Sequence, residues 1–130
     1  MFTPQAEPSD LRVLIVDDAP FYRRVVCELL ARRGYEVAGE AETVAAALQL
    51  AEAVQPDAAL VDVRLPDGDG FDLAARLTQS YPWMAVLLTS SAFDHDYYAR
   101  ADASGACGFV PKLHLAQIEF DAFWSRDRGE

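Results

Sequence analysis

Cysteine is nearly absent from this 130-residue sequence. The two present, Cys27 and Cys107, form no CxxC pair, which leaves two reduced core thiols as the expectation rather than a disulfide or metal site. Long apolar runs are missing too: none approaches the ~20 residues that a membrane span needs. The first ten residues, MFTPQAEPSD, lack the cationic start and apolar core of a secretory signal. Positive charge is scarce, with 11 Lys and Arg against 21 Asp and Glu, a formal net charge of −10. That balance argues against a broad basic face for direct nucleic-acid or anionic-membrane binding. It fits a soluble protein that binds cations or basic partners, and the reduced thiols point to the cytoplasm. The sequence holds no internal repeat and no low-complexity tract.

Hydrophobic residues, in contrast, make up 52% of the chain, enough for one domain with a sizeable core. Residues 1–10, with two prolines, read as a flexible leader, 11–125 as the domain and 126–130 as a tail. Within the domain the pattern alternates. The runs LRVLIV, EVAGEA, AALVDV, MAVLLT and CGFV read as strands. A first helix starts near Pro20, a residue suited to a first helical turn, and ends at Gly34. Its apolar residues come in pairs (Phe21 with Tyr22, Val25 with Val26, Leu29 with Leu30), which predicts one wide apolar stripe. Further helices are expected over Thr43–Val54, Phe71–Tyr81, Asp94–Ser104 and Leu115–Trp124.

Five strands alternating with five helices predict an α/β fold with a doubly wound, five-stranded parallel sheet covered on both faces. Such sheets bind ligands beyond the carboxyl ends of their strands. Here the strand ends carry chemistry. The first ends in Asp17-Asp18, the third in Asp62, the fourth in Thr89-Ser90, and the fifth near Lys112. Three carboxylates in one crevice repel one another, and a divalent cation removes the conflict. All-oxygen ligation suits Mg²⁺. Metal, ammonium and hydroxyl together form a receptacle for a phosphoryl group. Asp62 is also a competent nucleophile, ionised at neutral pH if its pKa is unperturbed, and attack on phosphorus would give an acyl phosphate.

Each residue has a plainer role open to it. Asp17 and Asp18 could cap the following helix, Thr89 and Ser90 could be turn residues, and Lys112 could be solvated. Their joint occurrence at the correct strand ends favours a site. By chemistry alone, either Thr89 or Ser90 could supply the hydroxyl.

The motifs VLIVDD, the D…P…G loop within LVDVRLPDGDG, a threonine after an apolar fourth strand, and GA-GFV-K resemble those of response-regulator receiver domains, from about Leu11 to Trp124. The resemblance implies a flavodoxin-like sheet of order 2-1-3-4-5. It implies that Asp62 accepts a phosphoryl group from a phosphohistidine of a sensor kinase or phosphotransfer protein. It implies that Asp17, Asp18, Asp62 and the Arg64 backbone carbonyl hold Mg²⁺, for which Mn²⁺ can substitute. Thr89 would turn toward the phosphoryl group, with Ser90 as its small neighbour, and Lys112 would pair with it. Phe109 would be an aromatic switch that moves inward as Thr89 vacates space. The face of helix 4, strand 5 and helix 5, with Tyr97, Tyr98, Phe109, Phe120, Phe123 and Trp124, would bind a downstream protein or a second copy.

One residue departs from the pattern. The family usually follows the lysine with proline in a cis peptide, whereas Leu113 stands here. A non-proline cis bond costs about 2.5–4 kcal/mol, so an altered lysine loop is expected. Pro111 suits an edge strand, which the order 2-1-3-4-5 makes of the fifth, with Val110 extended before it. Two rival functions remain. A Mg²⁺-dependent aspartyl-phosphate phosphatase would need a D-x-D acid where Ala19 stands. A degenerate receiver would bind partners without phosphorylation. The sequence ends at SRDRGE, just past the last helix, which favours a stand-alone regulator over the receiver of a longer protein.

Overall fold

The computed structural model describes residues 11–124. The leader over 1–10 and the tail over 126–130 lie outside the described residues. In chain order the elements are β1 (Arg12–Val16), α1 (Pro20–Arg32), β2 (Glu36–Ala41), α2 (Val44–Val54), β3 (Ala58–Asp62), β4 (Arg64–Leu65), β5 (Gly68–Asp69), α3 (Gly70–Ser80), β6 (Ala85–Ser90), α4 (Asp96–Ala103), β7 (Gly108–Pro111), a 3-10 helix (Lys112–Gln117) and α5 (Asp121–Trp124). The five long strands form one parallel sheet of order β2-β1-β3-β6-β7. This is the expected flavodoxin-like 2-1-3-4-5 order. The extra pair β4-β5 is a separate antiparallel hairpin that the sequence reading did not anticipate.

Strand composition explains the order. AALVD of β3 and AVLLTS of β6 are buried at every residue, as befits central parallel strands. β2 is more exposed and lies on one edge, while β7 lies on the other. Pro111 therefore ends an edge strand, where its missing N–H costs no ladder bond. Two apolar clusters flank the sheet. Leu14, Val16, Val61, Val86 and Leu88 pack with α2, α3 and α4 on one face. Val13, Ile15, Leu60 and Leu87 pack with α1 and the C-terminal segment on the other.

Helix ends follow local chemistry. Pro20 opens α1, and Gly34, at φ 91°, closes it. Thr43 caps α2 by accepting the Ala46 N–H at 3.0 Å, and Gln55 ends it in the left-handed region. Gly105, at φ 86°, follows α4, which is shorter than the expected Asp94–Ser104.

Two expectations need correction. The paired apolar residues of α1 do not form one wide buried stripe. Val26 and Leu30 are buried and Tyr22 packs beside them, whereas Phe21 and Val25 are 78% and 44% exposed. Residues at i, i+4 and i+8 face the core, with Leu29 partly buried beside Leu30, so the buried face is narrower than the paired pattern.

The second correction concerns Leu115–Trp124, which is not one helix. A 3-10 helix ends at Gln117, Ile118 is extended at φ −89° and ψ 164°, and α5 spans four residues. The cause is Arg33. Its guanidinium donates to the Ala116 carbonyl at 2.6 Å and the Ile118 carbonyl at 2.8 Å, and stacks over the Phe120 ring. A continuous helix would spend those carbonyls on N–H groups four residues later. Phe120 and Trp124 stack on each other and meet Tyr35 edge-on, so the broken segment still closes the core.

The fold also sets a tight joint beside Asp62. A Cβ on Gly70 would lie 2.4 Å from the Asp62 carbonyl oxygen and 2.9 Å from the Val63 Cα. The glycine thus lets the start of α3 pass against backbone, not against a ligand. Gly70→Ala is expected to destabilise the fold by roughly 1–3 kcal/mol, the usual range for overpacking. Urea unfolding monitored by circular dichroism checks this, and a midpoint unchanged from wild type would contradict the close approach.

Candidate functional site

The parallel register carries the acids to one rim. β1 and β3 pair from Val13↔Ala58 to Val16↔Val61, so Asp17 and Asp62 follow side by side at their carboxyl ends. Asp62 in turn stands opposite Thr89, and Thr89 opposite Val110. Lys112 emerges two residues beyond Val110, at the head of the 3-10 helix.

Lys112 reaches both buried acids. Its Nζ lies 2.8 Å from Asp17 Oδ2 and 3.1 Å from Asp62 Oδ2. It also sits 4.1 Å from the centroid of the Tyr22 ring. The Lys112–Leu113 peptide is trans, and Leu113 is 83% exposed, so the lysine reaches the rim without a following proline. It is the only lysine in the sequence.

The carboxylates are held from the backbone. Asp17 Oδ1 accepts the Ala19 N–H at 2.9 Å, and Asp62 Oδ1 accepts the Arg64 N–H at 3.1 Å. Arg23 donates to the Asp17 carbonyl at 2.7 Å and pairs with Glu40 on β2, which fixes the strand end. The plainer role for Asp17 and Asp18 is not realised: Ala19 occupies the N-cap position of α1, with no side-chain cap. The 2.8 Å contact of Asp17 with Lys112 is an ion pair rather than an aligned hydrogen bond. Among the described residues the buried Asp17 Oδ2 accepts no hydrogen bond.

The two hydroxyls at the end of β6 are distinct. Ser90 Oγ accepts the Ala92 N–H at 3.1 Å, a turn contact. Thr89 Oγ1 is buried without a hydrogen-bond partner among the described residues. A buried hydroxyl left unpaired beside Asp62 is available to a ligand, which separates Thr89 from Ser90 where composition could not.

The loop after Asp62 is tied to two helices. It forms the β4-β5 hairpin, with Arg64 opposite Asp69. Asp67 accepts the N–H groups of Val44 and Ala45 at 2.7 and 3.1 Å, capping α2 from outside its own segment. Those two bonds hold the Asp67 carboxyl below the usual carboxylate range. Asp69 caps α3 through the Asp72 N–H at 2.8 Å. Phe109, on the edge strand β7, is buried in register with Leu88, against Tyr97, Tyr98 and Phe93.

Oxygens of Asp17, Asp18 and Asp62 all lie within 4.8 Å of one another. Asp18 is exposed and the other two are buried. This all-carboxylate set, with oxygens of all three residues close together, fits a hard divalent cation. Electrostatics agree. Burial raises the Asp62 pKa above the carboxylate range, with help from the Asp17 charge, and outweighs the opposing effects of the Arg64 N–H and Lys112. Burial pulls Lys112 the other way, but its contacts with Asp17 and Asp62 win, so its pKa rises. The Tyr22 phenol is raised by burial first, then by the Asp17 and Asp62 charges.

With this geometry in place, comparison with known proteins becomes informative. Residues 13–119 match the response regulator receiver domain. The chain belongs to that family. A chemotaxis protein CheY from Thermotoga maritima is 32% identical over 101 residues, covering 78% of this chain and 84% of CheY. A putative transcriptional regulator from Pseudomonas aeruginosa is 39% identical over 101 residues, covering 78% of this chain and 49% of the regulator. The chain thus spans about half the length of such relatives. The solved receiver domain of the putative response regulator NarL from Mycobacterium tuberculosis is 36% identical with a TM-score of 0.72, covering 84% of this chain and 86% of that one. Receiver domains are signalling phosphoacceptors rather than conventional enzymes.

Tyr22, Arg23 and Asp67 are residues of this site that sequence reasoning missed. Tyr22 read as part of an apolar stripe. Asp67 has the chemistry of a cap, but the helix it caps lies 23 residues earlier in the chain.

The Asp62 shift has a sign that can be tested. Its folded pKa lies above the unfolded value of about 3.8, so ionising it costs the native state stability. That cost is absent below this pH and grows as pH rises through it. In the presence of a chelator, Asp62→Asn is expected to melt higher than wild type at pH 7, with the gain fading toward pH 4. Melts across this range check it, and a variant that melts lower at pH 7 would overturn the assignment.

Proposed function

We propose that the chain is the phosphoacceptor receiver of a two-component phosphorelay. Asp62 takes a phosphoryl group from a phosphohistidine on a sensor histidine kinase or phosphotransfer protein. The observation that carries this reading is the meeting of a buried, backbone-held carboxylate with a lysine ammonium and two further acids at one strand rim. An oxygen of Asp62 attacks phosphorus, an acyl-phosphate P–O bond forms, and the P–N bond to the donor imidazole breaks. Asp17, Asp18, Asp62 and the Arg64 carbonyl would hold Mg²⁺, or Mn²⁺ in its place. When bound, the ion supplies neutralising charge to the carboxylates and the phosphoryl oxygens. Lys112 pairs with an equatorial phosphoryl oxygen, and the Thr89 hydroxyl donates to another.

The unpaired Thr89 hydroxyl supports a change on phosphorylation, since a bond to the phosphoryl group would satisfy it. Phe109 would respond through its aromatic neighbours. On the face of α4, β7 and α5, Phe120 and Trp124 belong to the core, while Phe93 and Tyr98 are half exposed. That subset is our candidate contact for a downstream protein or a second copy. Among the described residues no helix is long and apolar enough to cross a membrane, and a cytoplasmic location is part of the proposal. The phosphatase alternative is not favoured, since Ala19 offers its backbone N–H where that chemistry needs an acid.

Incubation with acetyl phosphate and Mg²⁺ is expected to add one phosphoryl unit to the intact mass, and Asp62→Asn to abolish the gain. Full labelling of that variant would sink the assignment. Mg²⁺ is also expected to raise the melting temperature by mass action, about 2.7 kcal/mol at a hundredfold excess over its Kd. Asp18→Ala should remove most of that gain. Equal stabilisation of both proteins would rule out a site built on Asp18.

A further inference from the structure

We infer that Tyr22 is the positioning residue for Lys112: its ring face holds the ammonium beside Asp17 and Asp62, and so sets where the lysine meets the phosphoryl group. The inference rests on the phosphotransfer proposed for Asp62 and assigns a residue to it that no motif contains. Lysine is a point charge on a flexible stem, and nothing in its own segment fixes it here. Pro111 sets only its own backbone, and the Leu113 side chain is 83% exposed and braces nothing.

Among the described residues the ammonium instead meets Asp17 Oδ2 at 2.8 Å, Asp62 Oδ2 at 3.1 Å, and the Tyr22 ring centroid at 4.1 Å. An aromatic face attracts a cation at that range. The ring also differs from the carboxylates in what it leaves free. The oxygens that hold the ammonium are those that a divalent cation or an incoming phosphoryl group would engage or displace. A ring face uses none of them, so it can keep the ammonium in place as the carboxylates change partners.

The mounting of Tyr22 suits this role. It lies in the first turn of α1, directly after the Asp17-Asp18 turn, so ring and acids are carried by one short stretch of chain. It shares its face with the buried Val26 and Leu30, which anchor the helix to the sheet. The aromatic face is therefore held by the core.

Because Lys112 is the only lysine, [¹³C]lysine labelling gives one side-chain signal set. The Lys112 Hε resonances are expected upfield from the ring current of Tyr22, retained in Tyr22→Phe and lost in Tyr22→Leu. Phosphorylation by acetyl phosphate with Mg²⁺ is expected to slow roughly three- to thirtyfold in Tyr22→Leu and to stay near wild type in Tyr22→Phe. In a Lys112→Ala background, Tyr22→Leu should add nothing. If Tyr22→Leu does not fold, Tyr22→Met takes its place, with melting temperatures as the control. An unshifted Hε signal, an unchanged rate after loss of the ring, or the same slowing without Lys112 would each overturn the inference. Those outcomes leave the reading of Asp62 standing, whereas full labelling of Asp62→Asn would remove that reading itself.

Discussion

Two buried carboxylates that share one ammonium are the constraint on which the rest of this structure depends. Asp17 and Asp62 are 2% and 6% exposed, and the Lys112 Nζ lies within ion-pair distance of both. With the exposed Asp18 alongside, three carboxyl groups face one ammonium. Buried charge without full compensation is costly, so the site cannot hold itself together. It is imposed by the sheet. β1 and β3 are hydrogen-bonded neighbours with buried side chains along both faces, and each buried Val, Leu or Ile contributes about 1.5–3 kcal/mol. The core offsets an electrostatic cost that a cation of charge two would remove.

The loop after Asp62 shows the same division of labour. Asp67 and Asp69 look like more of the acid cluster in the sequence, yet neither faces it. Each caps a helix, one reaching back to α2 and the other starting α3. The hairpin over 64–69 is thus tied to α2 through its turn and to α3 through its last residue, and Arg64 opens it. Gly70 completes the arrangement by letting α3 begin against the Asp62 backbone. Negative charge in this stretch therefore does two jobs, and only hydrogen-bond partners tell them apart.

That distinction marks how far the sequence could be read. The parallel sheet was legible because buried parallel strands are continuous apolar runs, and β3 and β6 are of that kind, whereas its strand order came from the family resemblance. The residues at the rim were legible because they terminate those runs. What escaped depends on contacts distant in sequence. The C-terminal segment has a helical pattern, but Arg33, more than eighty residues earlier, takes the carbonyls that a helix would need. The paired stripe of α1 gave no sign of which member would face inward, and so no sign that Tyr22 would meet Lys112. Thr89 and Ser90 are chemically alike; the family resemblance favoured Thr89, and in the structure Ser90 takes the nearby Ala92 N–H.

Where the fold is thinnest bears on where a signal could leave it. α4 has eight residues, no side-chain cap, and only Tyr97 and Ala101 buried. It packs on β7, an edge strand of four residues. Phe109 on that strand touches Phe93, Tyr97 and Tyr98, which bracket the start of α4. Elements with so little buried area open at low cost compared with the central strands. Thr89 stands in register with Val110, the neighbour of Phe109, and also with Asp62. A phosphoryl group that drew the Thr89 hydroxyl would act on the one strand that touches both the rigid rim and this weakly held edge. The central strands would resist the change, so the displacement would pass to the edge, where the exposed rings of Phe93 and Tyr98 lie.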